Sequence, residues 1–440
     1  MHKSIFLEGL YQFFVVLTRL SPTFLFVAVW LLVPWGFKWA LGRIVKGTEA
    51  KRSEASGWGL RVARAVESSI SRIQASPNYG LITVILAMGM AVTTFTPTHI
   101  DSATNQVVSN FLNLNSISGL FTETSFFVVM AVGVTLVIIT GGIDLSVGAI
   151  YALAAVSTVM ALRAWHYDNQ PLLVLGFSLG PKAVWAGLAV ALGVGLVCGI
   201  LNGTMVVKLK VHPFIITLGT MWIFRGIAFV VSQAESILAP DSLTSLMKGA
   251  HYPQFVLDLV AQLEPFALVA MRFIHPVPLL ILIAIAALGT IYLTKTVAGR
   301  NVFAVGGNLT ASVYSGVNTG RVLVGVYALS GLAAGLAAFM GCGYYGAANC
   351  GDAQGYVLYV IASAVVGGVS LVGGRGTVLG ATLGALLIIL IKQSISFLNL
   401  DQNYQWIIIG AAIVTAVVLD RYSSALSVKR LASSQKTGGT

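Results

Sequence analysis

The sequence predicts an all-α, polytopic helical membrane protein: a ten-span core preceded by one or two extra N-terminal hydrophobic helices. Three observations predict it. The 440 residues are 57% hydrophobic and only 9% charged, whereas a soluble domain carries about 25% charged residues, and the mean hydropathy is +0.87. The apolar residues fall in runs near the roughly 20 residues that a spanning helix needs. Lys and Arg gather in alternate loops, as they do on the cytoplasmic side of membrane proteins.

Residues 1–42 hold two apolar runs, Ile5 to Leu17 and Phe24 to Leu41, separated by Arg19 and broken by Pro22 and Pro34. The second is long enough to span; the first, at about 13 residues, is short. Residues 43–77 are polar, with Arg43, Lys46, Lys51, Arg52, Arg61, Arg64 and Arg72 against Glu49, Glu54 and Glu67. That excess places the segment in the cytoplasm, with Gly59 to Ile73 readable as a basic helix on the membrane surface or as a solvated linker.

The core, residues 78–421, follows in ten apolar runs: Tyr79 to Thr96, Phe126 to Ile139, Val147 to Leu162, Ala183 to Val207, Pro213 to Val231, Val277 to Leu293, Val322 to Gly341, Tyr356 to Val372, Thr377 to Phe397 and Tyr404 to Leu419. Alternate threading puts Lys208, Lys210, Lys295, Arg300, Arg321, Arg375, Arg421, Lys429 and Arg430 inside, leaving Asp101, Asp168, Glu235, Asp241, Asp258, Glu264, Asp352 and Asp401 outside. The C-terminal tail, residues 422–440, is then cytoplasmic. The basic balance, 26 Lys+Arg against 15 Asp+Glu, reflects this topology and not nucleic-acid binding. The outer loop Ser232 to Pro276 has room for short helices and offers a docking surface.

No enzyme constellation is present, and no catalytic residue or metal ligand is assigned. The six histidines are scattered without metal-ligand spacing, and no G-x-x-x-x-G-K-[ST] loop occurs, so the usual P-loop arrangement for ATP is missing. If ATP drives the protein, another subunit binds it. Cys342 and Cys350 flank a short loop and read as free thiols; Cys198 reads as core filling.

The informative stretch is Thr140-Gly141-Gly142-Ile143-Asp144-Leu145-Ser146-Val147-Gly148, a glycine pair and a carboxylate between two apolar runs. Non-helical chain at membrane depth must be buried in protein or line a wet cavity, and an intramembrane carboxylate marks a functional position. Arg225, in the middle of a span, costs about 2.5–3.5 kcal/mol unless paired or cavity-facing; Asp144 is a conceivable partner. Lys392 reads as snorkelling outward. Asn202, beside Gly193, Gly195 and Gly199, reads as interhelical glue. Tyr344, Tyr345, Asn349, Asp352 and Gln354 form an outer cluster that is either a solvated loop or a sugar contact. On the inner side, Asn308 can cap a short helix over Leu309 to Asn318, with Gly316 ending it.

These motifs resemble those of the permease subunits of ribose-type (monosaccharide, CUT2-like) ABC importers. Gly141, Gly142, Asp144 and Ser146 look like the family's hallmark. Pro213 to Thr220 with Arg225-Gly226 resembles its next motif. Gly307, Asn308, Ala311, Tyr314, Ser315, Gly316 and Asn318 resemble its coupling loop, and Gly367, Gly368, Gly373, Gly374 and Gly376 its late glycine motif. The first set also echoes the last, in the manner of transporter repeats. The resemblance implies a bacterial inner-membrane protein that forms the path for a monosaccharide or related polar solute. It implies cytoplasmic ATP-binding subunits seated on the coupling loop, an extracytoplasmic solute-binding protein, and a second permease subunit, identical or not. Two departures stand out. Val357 and Tyr359 replace two acids of the family pattern, and residues 1–76 have no counterpart in it. The rival readings are an ion-coupled secondary transporter using Asp144 and Arg225 as a switchable pair, and an ABC permease for a nucleoside or a branched-chain amino acid.

Overall fold

A computed structural model describes residues 78–96, 98–100, 107–111, 114–164, 171–174, 177–248, 276–411 and 414. The expectations for residues 1–77 and 422–440 lie outside the described residues. In chain order the helices are α1 (Tyr79–Phe95), α2 (Leu114–Ile139), α3 (Val147–Ala164), α4 (Lys182–Leu209), α5 (Pro213–Ser232), α6 (Asp241–Lys248), α7 (Pro276–Lys295), α8 (Val297–Gly307), α9 (Leu309–Tyr314), α10 (Thr319–Tyr345), α11 (Tyr356–Val366) and α12 (Val378–Phe397). The chain is helical again over 404–411. Three two-stranded antiparallel ribbons sit in the connections: β1 (Thr98–Ile100) with β2 (Val107–Ser109), β3 (Pro171–Val174) with β4 (Phe177–Pro181), and β5 (Ile237–Leu238) with β6 (Ala347–Ala348).

Among the described residues, α2, α3, α4, α5, α7, α10 and α12 are long and apolar enough to cross a membrane, whereas α1 and α11 are apolar but shorter. Two sequence-derived bounds change. The second span starts at Ser116, in a helix that begins at Leu114, and not at Phe126, because its polar residues bond to the helix itself: Thr124 and Ser125 donate to the Leu120 and Phe121 carbonyls at 2.6 and 2.7 Å. The expected span Tyr356 to Val372 stops at Val366 after 11 residues, about 16 Å of helix and half a hydrocarbon core. Gly368, Gly373 and Gly374 then take φ of 86°, 93° and 72°, which ordinary residues avoid.

In the larger unit, residues 113–393 and 402–440, the helices gather around α10, which packs most extensively on α4 and also on α2 and α3. Glycine makes the α4–α10 contact possible. A methyl group at Gly199 would stand 2.9 Å from Ala328 Cα, and one at Gly203 2.7 Å from Val324 Cα, so the two backbones touch directly. Gly193, expected in the same seam, faces open space. Around this centre α2 is almost wholly buried, while α5 and α7 turn apolar side chains outward, Ile215, Trp222, Ile223, Val230 and Ile283 among them. A buried polar thread inside and exposed hydrocarbon outside is the arrangement of a bilayer protein.

A smaller unit comprises α1, β1, β2 and residues 394–401, in which Phe111 and Phe397 pack edge to face at 5.4 Å.

Candidate functional site

The break between α2 and α3 is built by local chemistry. Gly141 takes a φ of 81°, so the chain leaves α2, and Gly142 donates back to the Val137 carbonyl at 3.1 Å. Asp144 Oδ1 then accepts from the Ser146 N–H at 3.0 Å and the Ser146 hydroxyl at 2.6 Å. This turn, formed by a side chain on the backbone two residues on, positions Ser146 to start α3. The Ser146 carbonyl accepts from Ala149 and Ile150, both at 2.9 Å.

Three neighbouring helices fix the break. Ser330 of α10 donates to Asp144 Oδ2 at 2.8 Å. Asn202 of α4 donates to Ser146 Oγ at 2.7 Å, the interhelical role expected of it. The Ile143 carbonyl accepts from Thr217 of α5 at 3.0 Å and from the Tyr327 hydroxyl of α10 at 3.5 Å. Asp144, Ser146, Asn202, Thr217, Tyr327 and Ser330 are all 0% exposed. The carboxylate is thus satisfied by three hydrogen-bond donors on the break and α10. Burial of a carboxylate is tolerated only with such compensation.

Arg225 does not pair with Asp144, which removes the expected ion pair. Its guanidinium donates to the Cys350 and Asp352 carbonyls, both at 2.6 Å, and to the Gly148 carbonyl at 3.2 Å. It therefore clamps the α10–α11 connection onto the first turn of α3. The two segments are already close, since a methyl group at Gly148 would stand 2.7 Å from the Ala353 carbonyl oxygen. Carbonyls suit the planar fork of arginine and require no second buried charge. Asn349 and Asp352 are occupied in the same turn: Asp352 Oδ2 accepts from the Asn349 N–H at 2.9 Å, and Asn349 Oδ1 from the Gly351 N–H at 2.7 Å. Cys342 and Cys350 are buried free thiols, as is Cys198.

At its other end the same break meets the late glycine segment. The Gly374 N–H donates to the Ile139 carbonyl at 2.8 Å, and a methyl group at Gly373 would stand 3.0 Å from Gly141 N. Gly306, at the end of α8, closes the knot: a methyl group there would overlap the Ile139 carbonyl and stand 2.7 Å from Gly374 N. Gly367 packs on α12, where a methyl group would stand 2.6 Å from Ala381 N. So the two echoing glycine motifs are in contact, and α8, at its Gly306 end, rests on both.

Past Gly307 the chain turns into α9. Asn308 Oδ1 accepts from the Ala311 N–H at 2.9 Å, the cap expected of it. Ser315 donates back to the Ala311 carbonyl at 2.9 Å, Gly316 turns the chain with a φ of 80°, and Asn318 caps α10 by accepting from the Arg321 N–H at 3.0 Å. Residues 297–307, just before α9, form α8. Leu309, Val313 and Tyr314 project from α9, with Tyr314 87% exposed.

Sequence reasoning missed Ser330, Tyr327 and Gly306 as parts of the site. Only a small hydroxyl residue in a Gly/Ala-rich span, one turn from Tyr327, pointed to Ser330. It also misread Lys392, which does not snorkel away but forms an ion pair with Glu123 of α2.

A helical bundle with spans interrupted by glycine, a buried carboxylate at one interruption and an apolar exterior defines a polytopic membrane protein. Comparison with known proteins makes the class specific. The family described as "Branched-chain amino acid transport system / permease component" matches residues 116–417. The D-allose transport system permease protein of Escherichia coli strain K12 is 33% identical, over 71% of this chain and 86% of its own length. The galactose/methyl galactoside import permease protein of the same strain is 35% identical, over 70% and 87%. The ribose import permease protein of Haemophilus influenzae is 32% identical, over 73% and 89%. The chain belongs to this permease family, in its branch of ribose-type ABC importers. No solved structure matches it.

Proposed function

We propose that this chain carries a monosaccharide across the bacterial inner membrane as one of two permease subunits of an ABC importer, with its C-terminus in the cytoplasm. ATP is bound and hydrolysed by separate subunits seated on α9, and the sugar is delivered by a binding protein on the side of β5, β6 and α6. The observation that carries the reading is the likeness to permeases named for allose, galactose and ribose over 70–73% of the chain. The geometry supports the coupling. A short capped helix with an exposed Tyr314 is a rigid knob, and the chain just before it lies backbone to backbone against both glycine breaks. Movement of the motor subunits thereby reaches Asp144's segment without passing through flexible side chains.

The test is uptake into vesicles holding this chain, its ATP-binding subunit and its binding protein, screened with labelled pentoses, hexoses, nucleosides and branched-chain amino acids. A sugar is the expected solute; uptake restricted to amino acids or nucleosides would replace it. Tyr314→Ala is expected to weaken capture of the ATP-binding subunit by about 2 kcal/mol, the scale of an aromatic hot spot, with the thermal stability of the isolated permease unchanged. Unchanged capture in a co-purification assay would remove α9 from the interface.

A further inference from the structure

We propose that Glu123, Lys392 and Gln393 form a contact site for the hydroxyls of the transported sugar, an inference that rests on the sugar-importer reading above. Glu123 lies on α2, and Lys392 and Gln393 on α12. Lys392 Nζ pairs with Glu123 Oε1, and Gln393 Nε2 donates to Glu123 Oε2 at 3.0 Å. The group is not sealed, because the Lys392 and Glu123 side chains keep 27% and 14% of their surface accessible.

Stability alone is a weak reason for such a pair. An ion pair inside a protein roughly breaks even against apolar residues of the same volume, and charges within spanning helices characteristically face a water-filled path. One acceptor is also unmet: Gln393 Oε1 is buried without a hydrogen-bond partner, a state that asks for a donor. Lys392 carries three N–H donors, and its bond to Glu123 uses one. The accessible part of the pair therefore offers a polyol donors from Lys392 and an acceptor from Glu123, with Gln393 bonded behind them.

The pair is seated against the buried Phe127 ring, 5.9 Å from Lys392 Nζ. A sugar presents hydroxyls that both donate and accept, and a solute site is typically an apolar wall with a few placed polar groups.

The test uses the complete transporter with two pair variants, Glu123→Gln with Lys392→Met and the charge reversal Glu123→Lys with Lys392→Glu, and one single variant, Gln393→Leu. A site that bonds hydroxyls predicts that all three lower sugar uptake by at least about tenfold while the complex still assembles with its ATP-binding subunit. It also predicts that the preference for the sugar over its deoxy analogues changes with the same binding protein. Uptake within about twofold of wild type for the neutral or reversed pair, or failure of both to assemble, would overturn the proposal and leave the pair a structural bridge. If the unaltered transporter takes up no sugar with ATP, the importer reading itself has failed and this proposal falls with it.

Discussion

Gly306→Val is expected to abolish ATP-driven uptake and to destabilise the chain by about 3 kcal/mol, the upper range for overpacking a filled site. No side chain can yield there, since the atoms in the way are the Ile139 carbonyl and the Gly374 amide. The bond from Gly374 to Ile139 must break or α8 must lift off both breaks. Thermal unfolding in detergent and ATP hydrolysis by the assembled complex read the two effects. Hydrolysis should persist in whatever fraction assembles, no longer linked to uptake. A variant with wild-type stability and full uptake would show that α8 does not bear on the breaks. Gly307, beside it, has no atom within contact of an added methyl group, so Gly307→Ala serves as the control for stability, with an expected melting temperature equal to wild type.

Asp144→Leu is the second large effect. It leaves the Ser146 N–H, the Ser146 hydroxyl and the Ser330 hydroxyl without their acceptor, and each buried unmet donor costs about 1–3 kcal/mol. Asp144→Asn is milder because the amide oxygen still accepts from Ser146, with only the Ser330 side altered. The expected order of melting temperature is wild type, then Asn, then Leu, with uptake falling in the same order. If Leu melted above Asn, the carboxylate would be an electrostatic burden and not the anchor of the break.

Much of this arrangement was legible in the sequence because glycine and proline punctuate apolar runs in a way that physics forces. The break at Gly141-Gly142, the Asn308 cap and the Gly316 turn were readable residue by residue. What could not be read was long-range partnership. Arg225 had a plausible acid in Asp144, yet two of its three hydrogen bonds go to carbonyls of a connection more than a hundred residues away, which no local pattern encodes. Glu123 and Lys392 were hidden by their setting. The polar residues around Glu123 suggested that the span began after it, when Thr124 and Ser125 in fact bond their own helix. The contact between the two glycine breaks lay behind the internal echo, whose meaning required seeing Ile139 and Gly374 side by side.

The measurement that tests the central claim most directly is the energy source of uptake. Vesicles containing this chain, its ATP-binding subunit and its binding protein are loaded with ATP and offered a labelled monosaccharide, with and without a protonophore and with and without the ATP-binding subunit. ATP-dependent uptake that survives the protonophore and disappears without the ATP-binding subunit is the predicted result. Uptake by this chain alone, driven by a proton gradient and stopped by the protonophore, would contradict it.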